Sequence, residues 1–335
     1  MDSTSSTTMM GLRLQAPGAL DALAAASVPR PQVAAGDLLV RVHAAGVNPS
    51  DVLNARGLPL TTFPRVPGRD FAGVVETGPD ELVGTRVWGA GSGDLGFTRD
   101  GSHAEYLAVP AQAAVAMPAG WTFAQAAASG LAYATAAIGL DHGGLRSGMH
   151  VLATGAAGGV GHAAAAIALH RGAHVVAAVK DAAEADRARA ALPAATVLIT
   201  QAGDYDVAVR DATGGHGVDL VFDTVGNPMF APNLAALADD GTLVLIAARP
   251  GVDVALDLSQ FYRRRLRLIG VSSTRADAAW CASYLRDLAP GFASGALPPV
   301  GVARAVALQR VADAYALTAA GGAAGRVVLT MEVLP

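Results

Sequence analysis

The spacing of apolar positions changes character about a third of the way along the chain. From residue 11 to about 120, apolar residues come in short runs broken by Gly and Pro. Leu38-Leu-Val-Arg-Val-His-Ala44 partly alternates, as a strand with one wet face does. Phe71-Ala-Gly-Val-Val-Glu76, Gly84-Thr-Arg-Val-Trp88 and Ala104-Glu-Tyr-Leu-Ala-Val109 follow at turn-separated intervals. These runs predict an irregular β-rich domain, partly a small barrel. Pro118-Ala-Gly-Trp-Thr122 punctuates its end, with Thr122 placed to cap a helix over Phe123–Ala128.

From about residue 126 strands and helices alternate. The predicted strands are His150–Thr154, His174–Val179, Thr196–Ile199, Asp219–Phe222, Thr242–Ala247 and Leu266–Val271, with helices such as Ala182–Ala191 and Pro228–Leu237 between them. Such alternation implies a parallel sheet covered on both faces. Six strands are the full complement of a doubly wound nucleotide fold. Beyond Ser272 the pattern predicts a helix over Asp277–Leu288, a strand over Val302–Leu308, a helix near Val311–Ala320 and a last strand over Gly325–Leu329.

One stretch organises the rest. Val151-Leu-Ala-Thr154 reads as a buried strand, Gly155-Ala-Ala-Gly-Gly-Val-Gly161 as a tight turn, and Ala163–Leu169 as a helix. In the pattern A-x-G-x-x-G, Ala156 makes the turn compact and Gly158 lets backbone N–H groups approach a pyrophosphate. Gly161 lets helix and strand pack closely. Gly159 and Val160 lie in the same turn, and the helix that follows offers a dipole and unpaired N–H donors that favour an anion. A glycine-rich turn alone does not require a ligand, so its neighbours matter. About 20 residues on, where an acidic residue would bind a ribose 2′-OH, the chain has Lys180. A lysine attracts a 2′-phosphate, which favours NADPH, with Arg187 or Arg189 as helpers. Asp181, next in line, keeps NADH open.

Composition narrows the class. A formal net charge of −4 with no basic stripe gives no footprint for nucleic acid. The Ala-rich runs are broken by Gly, His and charges, so no membrane span is expected. Residues 1 to 10 are polar and lack a signal pattern, and are expected to be disordered. A single cysteine, Cys281, excludes an internal disulfide framework and any multi-cysteine zinc site. A reduced cytoplasm is the default expectation.

The chain resembles the medium-chain dehydrogenase/reductase superfamily, in particular its zinc-free quinone oxidoreductase branch. The resemblance covers nearly the whole chain. It rests on Ala44-Ala-Gly-Val-Asn-Pro-Ser-Asp51, Val66-Pro-Gly-Arg-Asp-Phe-Ala-Gly-Val-Val75, Gly101-Ser-His-Ala-Glu-Tyr106, Gly155–Gly161 and Gly325-Arg-Val-Val-Leu329, in that order. It implies an α/β protein in which a Rossmann dinucleotide-binding domain, residues 126–272, is inserted in a GroES-like β-rich catalytic domain, residues 1–125 and 273–335. It places the active site in the cleft and implies a homodimer, or else a tetramer, through the strand edge near Leu266–Val271. In the superfamily's alcohol dehydrogenases the first cysteine ligand of a catalytic zinc falls where Asn48 stands. Their Gly-His-Glu motif falls on Gly68-Arg69-Asp70, and the four-cysteine lobe is missing. With no thiolate or imidazole there, no zinc is expected. The reducible bonds that remain are conjugated C=C bonds and quinones, whose own carbonyl takes up the arriving charge.

Several residues become candidates on this footing. The Asn48 amide would donate to a substrate carbonyl oxygen or orient the nicotinamide, although Asn-Pro also starts turns. Ser50 matches a proton-relay Ser or Thr, and equally a helix cap. Asp51 is expected to orient its neighbours. The family's tyrosine in the stretch matching Leu53–Pro59 is missing; Tyr133 is a possible substitute, and water another proton source. Thr135 matches a threonine beside the nicotinamide. Val225, Ala247 and Val271, after the fourth, fifth and sixth strands, would line the cofactor, and Arg326 would reach its phosphate. His103, His142 and His162 read as surface or packing residues.

The leading expectation is an NADPH-dependent reductase of a quinone, enone, enoyl or acrylate substrate. Asp51-Val-Leu-Asn-Ala-Arg-Gly57 also looks like enoyl reductase domains of polyketide synthases. The alternative from another class is a non-catalytic nucleotide-binding protein, crystallin-like or redox-sensing.

Overall fold

A computed structural model of the chain describes residues 7–91, 93–201, 205–248, 251–275, 277–322 and 324–331. In chain order its strands are β1 (Thr8–Leu12), β2 (Ala25–Pro29), β3 (Asp37–Val47), β4 (Asp70–Thr77), β5 (Arg86–Ala90), β6 (Tyr106–Pro110), β7 (Val115–Ala116), β8 (His150–Thr154), β9 (His174–Val179), β10 (Thr196–Ile199), β11 (Val218–Asp223), β12 (Leu237–Leu245), β13 (Arg267–Gly270), β14 (Val302–Ala307) and β15 (Arg326–Thr330). The helices are α1 (Pro49–Ala55), α2 (Phe123–His142), α3 (Gly159–His170), α4 (Ala182–Ala191), α5 (Tyr205–Ala212), α6 (Phe230–Ala236), α7 (Leu258–Arg263), α8 (Ala278–Asp287), α9 (Ala289–Ser294) and α10 (Val311–Ala320). The chain divides into two compact units. The first comprises Met1–Ala134, Ser273–Ala293 and Pro299–Pro335; the second comprises Thr135–Ser272 and Ser294–Pro298.

The first unit is built on a sheet ordered β14-β15-β3-β4-β5-β7, with β6 also pairing β3. β3 holds it together. Its first half pairs β6 and its second half pairs β15, while β4 runs antiparallel along its other side. The alternation in Leu38–Val42 turns Leu38, Val40 and Val42 into the core and Arg41 to solvent. That core also takes Ala278, Leu308, Val311 and Tyr315 from beyond the second unit. Residues on both sides of the interruption therefore bury one another.

The second unit is a six-stranded sheet ordered β10-β9-β8-β11-β12-β13, and every pairing in it is parallel. This is the Rossmann order, with its reversal between β8 and β11. The strands are Val- and Ala-rich because both faces are covered. α3, with Gly161 and Ala163–Ala166 buried, lies close against them because its side chains are small. The second part of α2, within this unit, does the same with glycine. A Cβ at Gly139 would come within 2.5 Å of the Phe222 ring, and one at Gly143, just past the helix, within 2.6 Å of Leu220.

Three expectations need correction. Residues 8 to 10 are not part of a disordered tail: they belong to β1, paired in register with Ser27–Pro29, and Met9 is buried. Residues 1–6 of that tail lie outside the described residues. The helix expected to end at Ala128 runs on to His142. Gly130 does not break it; that glycine is there because a Cβ would lie 2.8 Å from the Asp70 carboxylate. β12 starts at Leu237 rather than Thr242, since Leu237 already pairs Val218 and the residues between are taken up at a register shift. α2 is long and apolar enough to cross a membrane by length and composition, but 83% of its apolar window is buried inside the protein.

Candidate active site

In the second unit, strand direction assembles the site. All six strands are parallel, so their carboxyl ends lie along one edge. Ala156–Gly161, Lys180, Val225, Ala247 and Val271 all follow such ends, after β8, β9, β11, β12 and β13. Gly155, with φ +61, is the left-handed residue of the first turn, where a Cβ would strike Thr224 Oγ1 at 2.4 Å. Ala156, expected to make that turn compact, is fully buried beside it. A Cβ at Gly161 would lie 2.3 Å from the Gly155 carbonyl oxygen, so helix and strand meet there. Gly158 is exposed and precedes α3 with no side-chain cap, which leaves the first-turn N–H groups to an outside anion.

The neighbouring turn is held by Asp223, fully buried at the end of β11. Its Oδ1 accepts from Val225 N–H at 2.8 Å, Gly226 N–H at 3.0 Å and Thr154 Oγ1 at 3.0 Å. Lys180 is exposed. Asp181 accepts from Glu184 N–H at 2.9 Å as the cap of α4, and Glu184 accepts from Lys180 N–H at 2.8 Å. Both carboxylates are thus spent on starting the helix. The buried Nε of Arg187 has no hydrogen-bond partner among the described residues, whereas Arg189 pairs with Asp186 on the surface. Thr135 is buried within α2, and Val271 donates its N–H to the Leu245 carbonyl at 2.9 Å. The geometry fits a nicotinamide dinucleotide: a turn with no room for side chains, an uncapped helix start, and a cation after the second strand of the unit.

In the first unit a polar centre forms where β3 gives way to α1. Asn48, 3% exposed, donates from Nδ2 to Asp70 Oδ2 at 2.8 Å, while its Oδ1 accepts from Arg326. Its backbone N–H donates to Asp51 Oδ2 at 2.8 Å, so Asp51 starts α1 as it orients Asn48. Asp70 is fully buried and also accepts from Leu131 N–H at 2.5 Å. Burial pushes its carboxyl pKa up, against the Arg326 guanidinium 3.9 Å away and the bonds from Asn48 and Leu131. Arg326 therefore has its guanidinium on Asn48 and Asp70. Ser50, half-buried, accepts from Arg69 Nη1 at 3.1 Å.

Tyr133 is not brought to this centre. It is fully buried against Phe292, edge to face at 4.9 Å, in a cluster with Trp88 and Trp121, and burial pushes its phenol pKa up. Of the histidines, His142 is exposed. His162 is buried, and His103 is locked between Tyr315 Oη at 2.9 Å and the Gly46 carbonyl at 3.1 Å. Sequence reading missed Ser273 altogether and treated Arg69 and Asp70 only as replacements for metal ligands. Gly68-Arg-Asp70 was the available signal: two charges in an otherwise apolar strand entrance. The donor set does not fit zinc. Asn48 and a guanidinium occupy positions matching thiolate and imidazole ligands, and no group of three His, Cys, Asp or Glu among the described residues is placed to hold a metal ion.

Comparison with known proteins agrees with both halves of this description. Residues 34–119 match the family described as alcohol dehydrogenase GroES-like domain, and residues 159–287 match the one described as zinc-binding dehydrogenase. The chain is 36% identical over 273 residues to a zinc-type alcohol dehydrogenase-like protein of Schizosaccharomyces pombe, covering 80% of each. It is 28% identical to the quinone oxidoreductase of Homo sapiens, covering 88% of this chain and 89% of that one. Over 94% of its length it is 33% identical to the spectinabilin polyketide synthase system protein NorB of Streptomyces orinoci, spanning 14% of that much longer protein. With its GroES-like unit, its Rossmann unit and these relatives, the chain belongs to the medium-chain dehydrogenase/reductase superfamily of oxidoreductases, in the quinone oxidoreductase-like branch.

Proposed function

We propose that the protein is a zinc-independent, NADPH-dependent reductase of a conjugated C=C bond or a quinone. The observation that carries the reading is the polar centre of the first unit. It is built from an amide, hydroxyls and guanidinium groups, which hold negative charge by hydrogen bonding and need no Lewis acid. The kinship with a quinone oxidoreductase and a polyketide synthase protein supports the two substrate types. Bound reduced nicotinamide supplies the hydride. Gly158, Gly159, Val160 and Gly161 receive the pyrophosphate on backbone N–H groups, and Thr135, Val225, Ala247 and Val271 bound the nicotinamide. Lys180 takes the 2′-phosphate; the use of Asp181 as a helix cap favours this over a carboxylate–ribose contact. Asp51, Asp70 and Arg326 fix the Asn48 amide, and water is the proton source. The open edge of the six-stranded sheet, β13, with Leu268 39% exposed, is the proposed dimer contact.

The test is an NADPH-oxidation screen across quinones, enones, acrylates and enoyl thioesters, repeated with NADH. Saturated or hydroquinone products with NADPH preferred are expected. Cofactor binding without turnover on any member would replace the enzyme reading with a non-catalytic one. A strong NADH preference would remove Lys180 from its role.

A further inference from the structure

Arg69 enters the scheme so far only through its bond to Ser50, yet it is an uncommon residue to bury. It is 2% exposed, its guanidinium carbon lies 5.2 Å from the centre of the Phe97 ring, and its Nε has no hydrogen-bond partner among the described residues. Nη1 donates to Ser50 Oγ at 3.1 Å and Nη2 to Ser273 Oγ at 3.2 Å. Among the described residues no carboxylate forms an ion pair with it; Asp51, Asp70 and Asp94 act on it only from farther away. Burying a charge without a contact partner is costly. Here the charge has been given two hydroxyl groups in place of a counter-ion.

The direction of those bonds decides what the hydroxyls can do. A guanidinium only donates. Both serines therefore accept from Arg69, and the single proton of each hydroxyl points elsewhere. Neither hydroxyl donates to a protein acceptor among the described residues. Both serines are half-buried while Arg69 is fully covered, so the charge is shielded and the residues that contact it keep part of their surface open. A hydroxyl that accepts from a cation is a stronger donor in turn. Ser50 lies in the first turn of α1, and Ser273, 204 positions from Arg69, follows Ser272, where the long segment of the second unit ends. Only the folded chain brings them onto one guanidinium.

We propose that Ser50 and Ser273, polarised by Arg69, form a two-donor oxyanion site for the carbonyl oxygen of an α,β-unsaturated carbonyl substrate. This rests on the reductase reading above and names its substrate class. Hydride from the reduced nicotinamide forms a C–H bond at the β-carbon. The C=C π electrons shift, and the carbonyl π electrons move onto oxygen, giving an enolate. Both hydroxyls donate to that oxygen and keep their protons, and the α-carbon then takes a proton from water as the carbonyl re-forms. Ser50 and Ser273 are catalytic residues in this scheme; Arg69 is a positioning residue that acts through them. Asn48, whose amide already donates to Asp70, is less free to serve the same oxygen.

The experiment uses 4-nitrophenol, whose phenolate is coloured, as a stand-in for the enolate, with the full chain and no cofactor. On the wild-type protein the bound phenol is expected to ionise at a pH lower by about one unit than in solution. The shift is expected to disappear in the Ser50→Ala/Ser273→Ala double variant and in Arg69→Gln, and to return in part in Arg69→Lys, which keeps the charge. On an enone that the screen identifies, Ser273→Ala should lower kcat by about 10²-fold with KM little changed. NADPH affinity and melting temperature should stay as in the wild type. An unshifted phenol, or one bound no better than by the double variant, overturns the proposal, as does wild-type kcat in both single serine variants. If no enone or quinone is turned over, the reductase reading fails, while the phenol titration still decides the anion site.

Discussion

At the scale of single residues, the glycine turn was legible because its spacing is dictated by backbone geometry. The structure assigns its members different tolerances. Gly161→Ala places a methyl 2.3 Å from the Gly155 carbonyl, whereas Gly158→Ala meets only the same oxygen at 3.2 Å. Backbone atoms cannot swing aside as a side chain does. We expect Gly161→Ala to lower the melting temperature and abolish nucleotide binding measured by nicotinamide fluorescence, and Gly158→Ala to weaken binding without unfolding the protein. Equal effects would refute the packing argument. Lys180→Glu is expected to weaken NADPH about tenfold or more, with NADH little affected, since it sets a carboxylate against the 2′-phosphate; competition titration checks this. The Arg69 arrangement was not legible in the same way. The residue showed only as a mismatch to a metal-binding pattern, and its partner Ser273 lies too far along the chain for any local period to connect them.

At the scale of elements, the parallel strands were readable from their Val/Ala runs, while α2 was not. Gly130 looks like a stop when only neighbours in sequence are considered, and its reason is an Asp70 carboxylate supplied by β4. α3 carries a testable consequence of its Ala-rich packing. His162, beside Gly161, is buried with Nε2 unpartnered, and burial pushes its pKa down to about 4. The native imidazole thus stays neutral through a range where the unfolded chain takes up a proton. Its contribution is intact above about pH 6.5 and is lost as pH falls, amounting to about 2 kcal/mol by pH 5. His103, also lowered by burial, acts in the same direction. Melting temperature should therefore drop between pH 7 and pH 5, and His162→Gln should flatten part of that dependence. A His162→Gln profile as steep as the wild type would exclude this source. Tyr315→Phe, which removes the hydroxyl bonded to His103, is expected to cost about 1 kcal/mol in denaturant unfolding.

At the scale of the whole molecule, the fold class and family could be read from ordered motifs, because each motif marks a turn or close approach that the architecture cannot do without. The residue types at the positions matching zinc ligands, Asn48 and Gly68-Arg-Asp70, were equally readable, and the proposed chemistry uses no metal. Dialysis against a strong chelator is accordingly expected to leave activity in the NADPH screen unchanged, and a loss restored by added zinc would contradict the proposed chemistry. What the sequence concealed was how the last strand is used. β15 is not an edge: it sits between β14 and β3, pairs Val47, Gly46, Ala45 and Ala44, and carries Arg326 onto Asn48 and Asp70. Take β15 away, and the second unit keeps all six of its strands while the first loses the slat that joins β14 to β3. Its polar centre then lacks the guanidinium that locks Asn48 and Asp70 in place. A variant in which Val327–Leu329 cannot pair should still form the second unit yet have no working first one.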